Sequence, residues 1–180
     1  MQLSGKMRCK AQLSAVLIHA DGSQERVSFQ KPWYQRFWEY LHFDERGLVT
    51  DAGLNWLANN FTGETDDVSL LKFHDSGTGT TAAAQTDTAL QTQAGPTTRA
   101  TATNTVTQSA SGTGSTTPAI VQSVATIAYT TSLAITEWGL FSQAAQGGTM
   151  WDHRVFSAIN VVSGDSIQFT YSLSIPGGGS

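Results

Sequence analysis

Ser166-Ile167-Gln168-Phe169-Thr170-Tyr171-Ser172-Leu173-Ser174-Ile175 alternates apolar and polar side chains without an error. A β-strand sends successive side chains to opposite faces, so this stretch predicts a strand with its odd-numbered face in a core and a hydroxyl-rich even face outside. Upstream of it, Ala119–Thr130, Leu133–Ser142 and Thr149–Val162 read as three more strands, separated by turn signals at Gln146-Gly147-Gly148 and Ser163-Gly164-Asp165. Near the start, Cys9–Gln30 reads as a hairpin turning at Ala20-Asp21-Gly22-Ser23.

Between these strand regions the pattern changes. Leu48–Glu64 reads as a helix with Thr50 or Asp51 as N-cap, Leu54, Leu57, Ala58 and Phe61 on one face, Trp56 off that face, and Gly63 as the stop. Val68–Phe73 reads as a strand. In Lys31–Phe43, the residues Trp33, Tyr34, Phe37, Trp38, Tyr40 and Phe43 crowd together, as a core-facing wedge or as an anchor surface at an interface. From His74 to Pro118 the chain is dominated by Thr, Ala, Ser, Gly and Gln, with Asp75, Asp87 and Arg99 as its charges. Its β-branched but weakly alternating part suits an edge strand, a polar arm lying on another subunit, or a loop. The expected architecture is mainly β: one domain over residues 1–180, an antiparallel β-sandwich, jelly-roll-like, with one short helix near residues 51–61 and a long polar Thr-rich arm or loop at about 76–118.

Composition narrows the function. The chain has 180 residues, of which 13% are charged, against about a quarter in ordinary soluble proteins. Its formal net charge is −4 and Lys and Arg are not clustered, so nucleic acid is not an expected partner. No apolar run reaches the ~20 residues of a membrane helix, and the N-terminus does not read as a secretory signal. Synthesis in a cytoplasm is the expectation. Cys9 is the only cysteine, which excludes an internal disulfide and a thiolate metal cage.

The sequence also predicts no catalytic, metal or cofactor site. None of the four histidines has ligand spacing to another ligand residue. Asp152-His153-Arg154 lies on a predicted strand, where Asp152 and Arg154 can pair while His153 faces away. His74-Asp75-Ser76 contains the letters of a triad, which is a spatial arrangement that adjacent residues rarely form. Gly77-Thr78-Gly79-Thr80-Thr81 lacks the Lys and the strand–loop–helix context of a phosphate loop; glycines that let a polar loop turn explain it better.

The motifs Ile135-Thr136-Glu137-Trp138-Gly139-Leu140-Phe141, Gly148-Thr149-Met150 and Gly164-Asp165-Ser166-Ile167, with Gly47–Phe61 and Leu70–Thr92 upstream, resemble small virion structural proteins of tailed bacteriophages. The resemblance spans roughly Gly47 to Ile175. It implies a non-enzymatic subunit on the virion, made in the host cytoplasm. Such a subunit is a capsid decoration (cement) protein on the capsid surface, a homotrimer clamping the major capsid protein, or a neck, tail or fibre-attachment component. A carbohydrate-binding β-sandwich using Trp33, Trp38, Trp56, Trp138 or Trp151 as a stacking platform is the reading from another class. The interface candidates are Trp33, Tyr34, Phe37, Trp38, Tyr40, Trp56, Thr98, Thr101, Thr103 and Thr105.

Overall fold

The computed structural model describes residues 10–27, 29, 48–62, 71–96, 98–108 and 117–175. The aromatic segment with Trp33, Tyr34, Phe37, Trp38 and Tyr40 lies outside the described residues.

The described residues form two five-stranded antiparallel sheets packed as a sandwich. In the first, β2 (Gln24–Val27), β1 (Lys10–Ile18), β10 (Ser166–Ile175), β7 (Ala119–Ala128) and β6 (Thr103–Gln108) are neighbours in that order. In the second the order is β3 (Leu48–Val49), β9 (Met150–Val161), β8 (Leu133–Phe141), β4 (Phe73–Gly77) and β5 (Ala100–Thr101). The expected antiparallel sandwich is therefore the observed fold, with one short helix among the described residues; the jelly-roll winding is not established by this strand order.

β10 occupies the centre of the first sheet, between β1 and β7. Ile167, Phe169 and Tyr171 are buried as the alternation requires, while Leu173 is half-buried and Ile175 exposed, because the core ends before the strand does. Across the sandwich Trp138 on β8 stacks against Tyr171, with ring centroids 5.7 Å apart. The β1–β2 turn has Gly22 at φ 85, and Asp21 accepts the Ser23 N–H at 2.8 Å, which is the chemistry its sequence signalled.

Two elements depart from expectation. Of the strand expected at Val68–Phe73, residues 68–70 lie outside the described residues; the described strand, β4, starts at Phe73 and runs on through His74, Asp75 and Ser76. Those polar residues are buried because each has a partner within the protein. The helix α1 (Asp51–Thr62) is capped by Thr50, whose Oγ1 accepts the Gly53 N–H at 3.0 Å and donates to the Met150 carbonyl. Its buried face is Gly53, Trp56 and Leu57 rather than the expected Leu54 and Ala58; Leu54 is 49% exposed. The cause is Gly53: a Cβ there would stand 2.9 Å from the Trp151 Cα, so the helix lies backbone-close against β9 along its glycine.

The described part of the Thr-rich stretch is integrated into the body. β5 pairs with β4 in one sheet and β6 with β7 in the other. Between them Ala102 is buried and donates its N–H to the Lys72 carbonyl, so the chain crosses from sheet to sheet at that residue. Of the alternatives open for this region, residues 100–108 take the edge strand. Residues 78–99 form a loop lying over the outer face of the second sheet.

Candidate functional site

The loop from Thr78 to Arg99 is the most elaborately held irregular segment among the described residues, and Glu137 is its anchor. In Ile135–Phe141 a single carboxylate sits in an otherwise uncharged strand. Glu137 is fully buried on β8 and points outward under the loop. Its Oε1 accepts the N–H groups of Gly79 at 2.9 Å and Thr92 at 2.8 Å, and its Oε2 accepts that of Gln91 at 2.9 Å. The start of the loop at Gly79 and its later residues Gln91 and Thr92 are thereby tied to one side chain. Burial disfavours the charge, but the hydrogen bonds from His153 and the three backbone amides together outweigh it and hold the carboxyl down at about 2.

The glycines around Glu137 follow from this arrangement. A Cβ on Gly79 would stand 2.6 Å from Glu137 Oε1, and one on Gly77 would meet the same oxygen and the Thr92 carbonyl. Gly77-Thr78-Gly79 is thus a close-approach site for an internal carboxylate. The rest of the loop adds its own ties. Gln91 exchanges two bonds with the Thr81 backbone, Thr136 donates to the Gly79 carbonyl, and Asp51 at the start of α1 donates to the Gln85 carbonyl.

Beside Glu137, on β9, stands His153. Its Nε2 lies 3.1 Å from Glu137 Oε2 and its Nδ1 lies 2.7 Å from Asp87 Oδ2 on the loop. Burial lowers the ring's proton affinity, yet the hydrogen bonds to Glu137 and Asp87 overcome that and raise its pKa above the ordinary value.

At the loop's far end Arg99 pairs with Asp75 at 3.3 Å, both buried. Its Nη1 donates to the carbonyls of Gln143, Ala145 and Gly147 at 2.7–3.0 Å. Burial pushes the Asp75 carboxyl up against the opposing pull of the Ser76 amide and Arg99. A cavity of about 60 Å³ between the loop and Phe141 is lined by this pair and by Leu90, Gln93 and Gln146.

The other polar residues singled out from the sequence serve the core. Trp138 Nε1 donates to His74 Nδ1 at 3.2 Å, leaving His74 Nε2–H for Ser123 Oγ at 3.0 Å. Burial keeps this ring neutral, with its pKa down at about 3. Ser76 bonds Tyr129 and Asp75 bonds Arg99, so His74, Asp75 and Ser76 go to three different partners. Arg154 and Asp152 pair at 3.3 Å while His153 turns away to Glu137, as the strand parity predicted.

Among the interface candidates, Thr98, Thr101, Thr103 and Thr105 are exposed, the last two on β6 beside Val106, which is 64% exposed. Trp56 is corrected: at 6% exposure it belongs to the buried face of α1 and offers no surface. Trp138 and Trp151, at 0% and 4%, are core residues and cannot form a sugar-stacking platform. Trp33 and Trp38 lie outside the described residues. The site that sequence reasoning missed is the Glu137–His153–Asp87 cluster. Its signal was the lone carboxylate within Ile135–Phe141, whereas nothing local marked Asp87 as its distant companion.

Compared with protein-family models, curated proteins and solved structures, the chain matches none.

Proposed function

We propose that this is a non-enzymatic virion structural protein of a tailed bacteriophage, a capsid decoration (cement) subunit used in many copies to clamp neighbouring major capsid proteins, itself associating as a homotrimer. The observation that carries the reading is an uncharged surface held in a fixed shape. From Ser76 to Gln108 the only charged residues are Asp87 and Arg99, and both are committed inside the fold, to His153 and to Asp75. What the loop and β6 present outward is hydroxyl, amide and methyl groups, including Thr80, Thr81, Gln85, Thr88, Thr103 and Thr105. A pre-organised surface of this kind binds another protein with little ordering cost and little dependence on ion pairs. A subunit that binds only the assembled shell stabilises it by mass action, and repetition over many sites multiplies the effect.

The test uses purified particles of the phage that encodes the chain. Washing in about 1 M salt, where the screening length falls to about 3 Å, should leave the protein attached, and particles lacking it should release DNA at a lower temperature. If salt strips the protein and the heat resistance of the head is unchanged, the cement reading fails. A copy number of a few tens or fewer per particle would place it at the neck or tail, the second reading, which rests on the shorter Glu137-Trp138-Gly139-Leu140-Phe141 resemblance.

A further inference from the structure

We propose that His153 is a proton-operated latch, its ring clamped between Glu137 on β8 and Asp87 on the 78–99 loop so that the loop is fixed when the ring is doubly protonated and freed at Asp87 when it is not. The argument is one of counting donors. An ionised carboxylate only accepts hydrogen bonds, and a neutral imidazole has one N–H and one lone pair. Here both ring nitrogens face carboxylate oxygens, at 2.7 Å and 3.1 Å. Only the imidazolium satisfies both contacts. Once the proton leaves, one nitrogen directs a lone pair at a carboxylate oxygen in a place where the ring is 0% exposed.

The two sides of the clamp are unequally secured. Glu137 is fully buried and keeps three backbone amides whatever the ring does. Asp87 is 24% exposed and has, besides the ring, the Ala84 N–H at 2.8 Å. It can exchange the ring for water at little cost, so the loop side gives way. Among the described residues Glu137 and Asp87 are the charged groups facing His153 from the elements packed on it; Asp152 and Arg154, its neighbours on β9, pair with each other on the opposite face. Because the two hydrogen-bonded carboxylates outweigh burial and hold the ring's pKa above its ordinary 6.5, the latch opens on the alkaline side of that value.

Two measurements on the full chain decide the matter. Nitrogen-15 spectra of the imidazole should show both ring nitrogens protonated at about pH 6. As the ring titrates, hydrogen exchange at the Ala84 amide should accelerate about tenfold beyond its intrinsic pH dependence, while the amides of Gly79, Gln91 and Thr92 keep their protection. Asp87→Asn retains an acceptor but loses the charge, and should lower the titration midpoint by about one unit or more. A neutral ring at about pH 6, an Ala84 amide indifferent to the titration, or an unmoved midpoint in Asp87→Asn each overturns the latch.

Discussion

The Arg99 guanidinium carbon lies over the Phe141 ring, 3.5 Å from its centroid, while its nitrogens bond Asp75 and three carbonyls of the 143–147 turn. One side chain from the end of the loop thus fixes the β8–β9 connection against the outer face of the second sheet. The planar fork and the stacked face both belong to arginine and not to lysine.

Arg99→Lys should therefore destabilise the fold although it conserves charge. An ammonium cannot satisfy Asp75 and the turn carbonyls together, and the stacking contact goes with the guanidinium. The expected loss is about 2–4 kcal/mol, read from urea denaturation. A loss below about 0.5 kcal/mol, within the range of neutral surface changes, would show that the turn does not depend on this contact.

Glu137→Gln replaces an acceptor of three amides by a group that can accept at one atom and must donate at the other. Either Gly79 and Thr92 or Gln91 and His153 then face an N–H₂ group. The predicted loss is about 3–5 kcal/mol, with exchange protection lost first at Gly79, Gln91 and Thr92. Retained protection at all three amides would refute the anchoring role.

Phe169→Ala removes a fully buried ring at the centre of the first sheet, where it neighbours both Trp138 and Phe156. Truncations of this kind cost about 3–5 kcal/mol. A calorimetric or urea measurement giving less than about 1 kcal/mol would contradict the packing described for β10.

Stability should peak on the acid side of neutrality. Glu137 ionises at about 2 in the fold against 4.5 ordinarily, so its contribution is complete above pH 4.5 and is lost as pH falls from there toward 2. His153 binds its proton more tightly than its ordinary 6.5 implies, so its contribution is complete below 6.5 and is lost as pH rises through the folded value. Asp152 acts in the same direction as His153 and opposite to Glu137: burial raises it from 3.8 to about 6 against the pull of Arg154, so the fold loses stability as pH climbs across that interval. Each carboxyl shift corresponds to about 3 kcal/mol. Urea midpoints measured from about pH 3 to about pH 8 should be highest near pH 4.5; a plateau that keeps rising to pH 8 would contradict these assignments.

β10 was legible because it obeys the period of two, and the turns between β8 and β9 and before β10 because they carry glycines at positive φ, Gly147, Gly148 and Gly164. β4 was not, because the residues of His74-Asp75-Ser76 look like loop until their partners Ser123, Arg99 and Tyr129 are known, and those lie far along the chain. The face of α1 was misread for a related reason: hydrophobicity favoured Leu54, whereas close approach of backbones favoured Gly53. The Thr-rich loop looked featureless since its order comes from Glu137, which is 45–58 residues distant from the amides it holds. Sequence patterns report on local periodicity; a buried carboxylate acting on remote amides leaves almost none.

The position of β10 has a consequence for biosynthesis. β1 is made early, yet it pairs with β10 over its whole length, from Lys10 opposite Ser174 to Ile18 opposite Ser166, and β7 waits on the same strand from the other side. The first sheet therefore has no centre until nearly all of the described chain has left the ribosome. Contacts so distant in sequence make folding slow, and until then β1 and β7 carry unpaired edges, the state in which nascent β-proteins associate wrongly. For this chain, the residues that finish the sheet are also the ones that start the protein's life as a folded molecule.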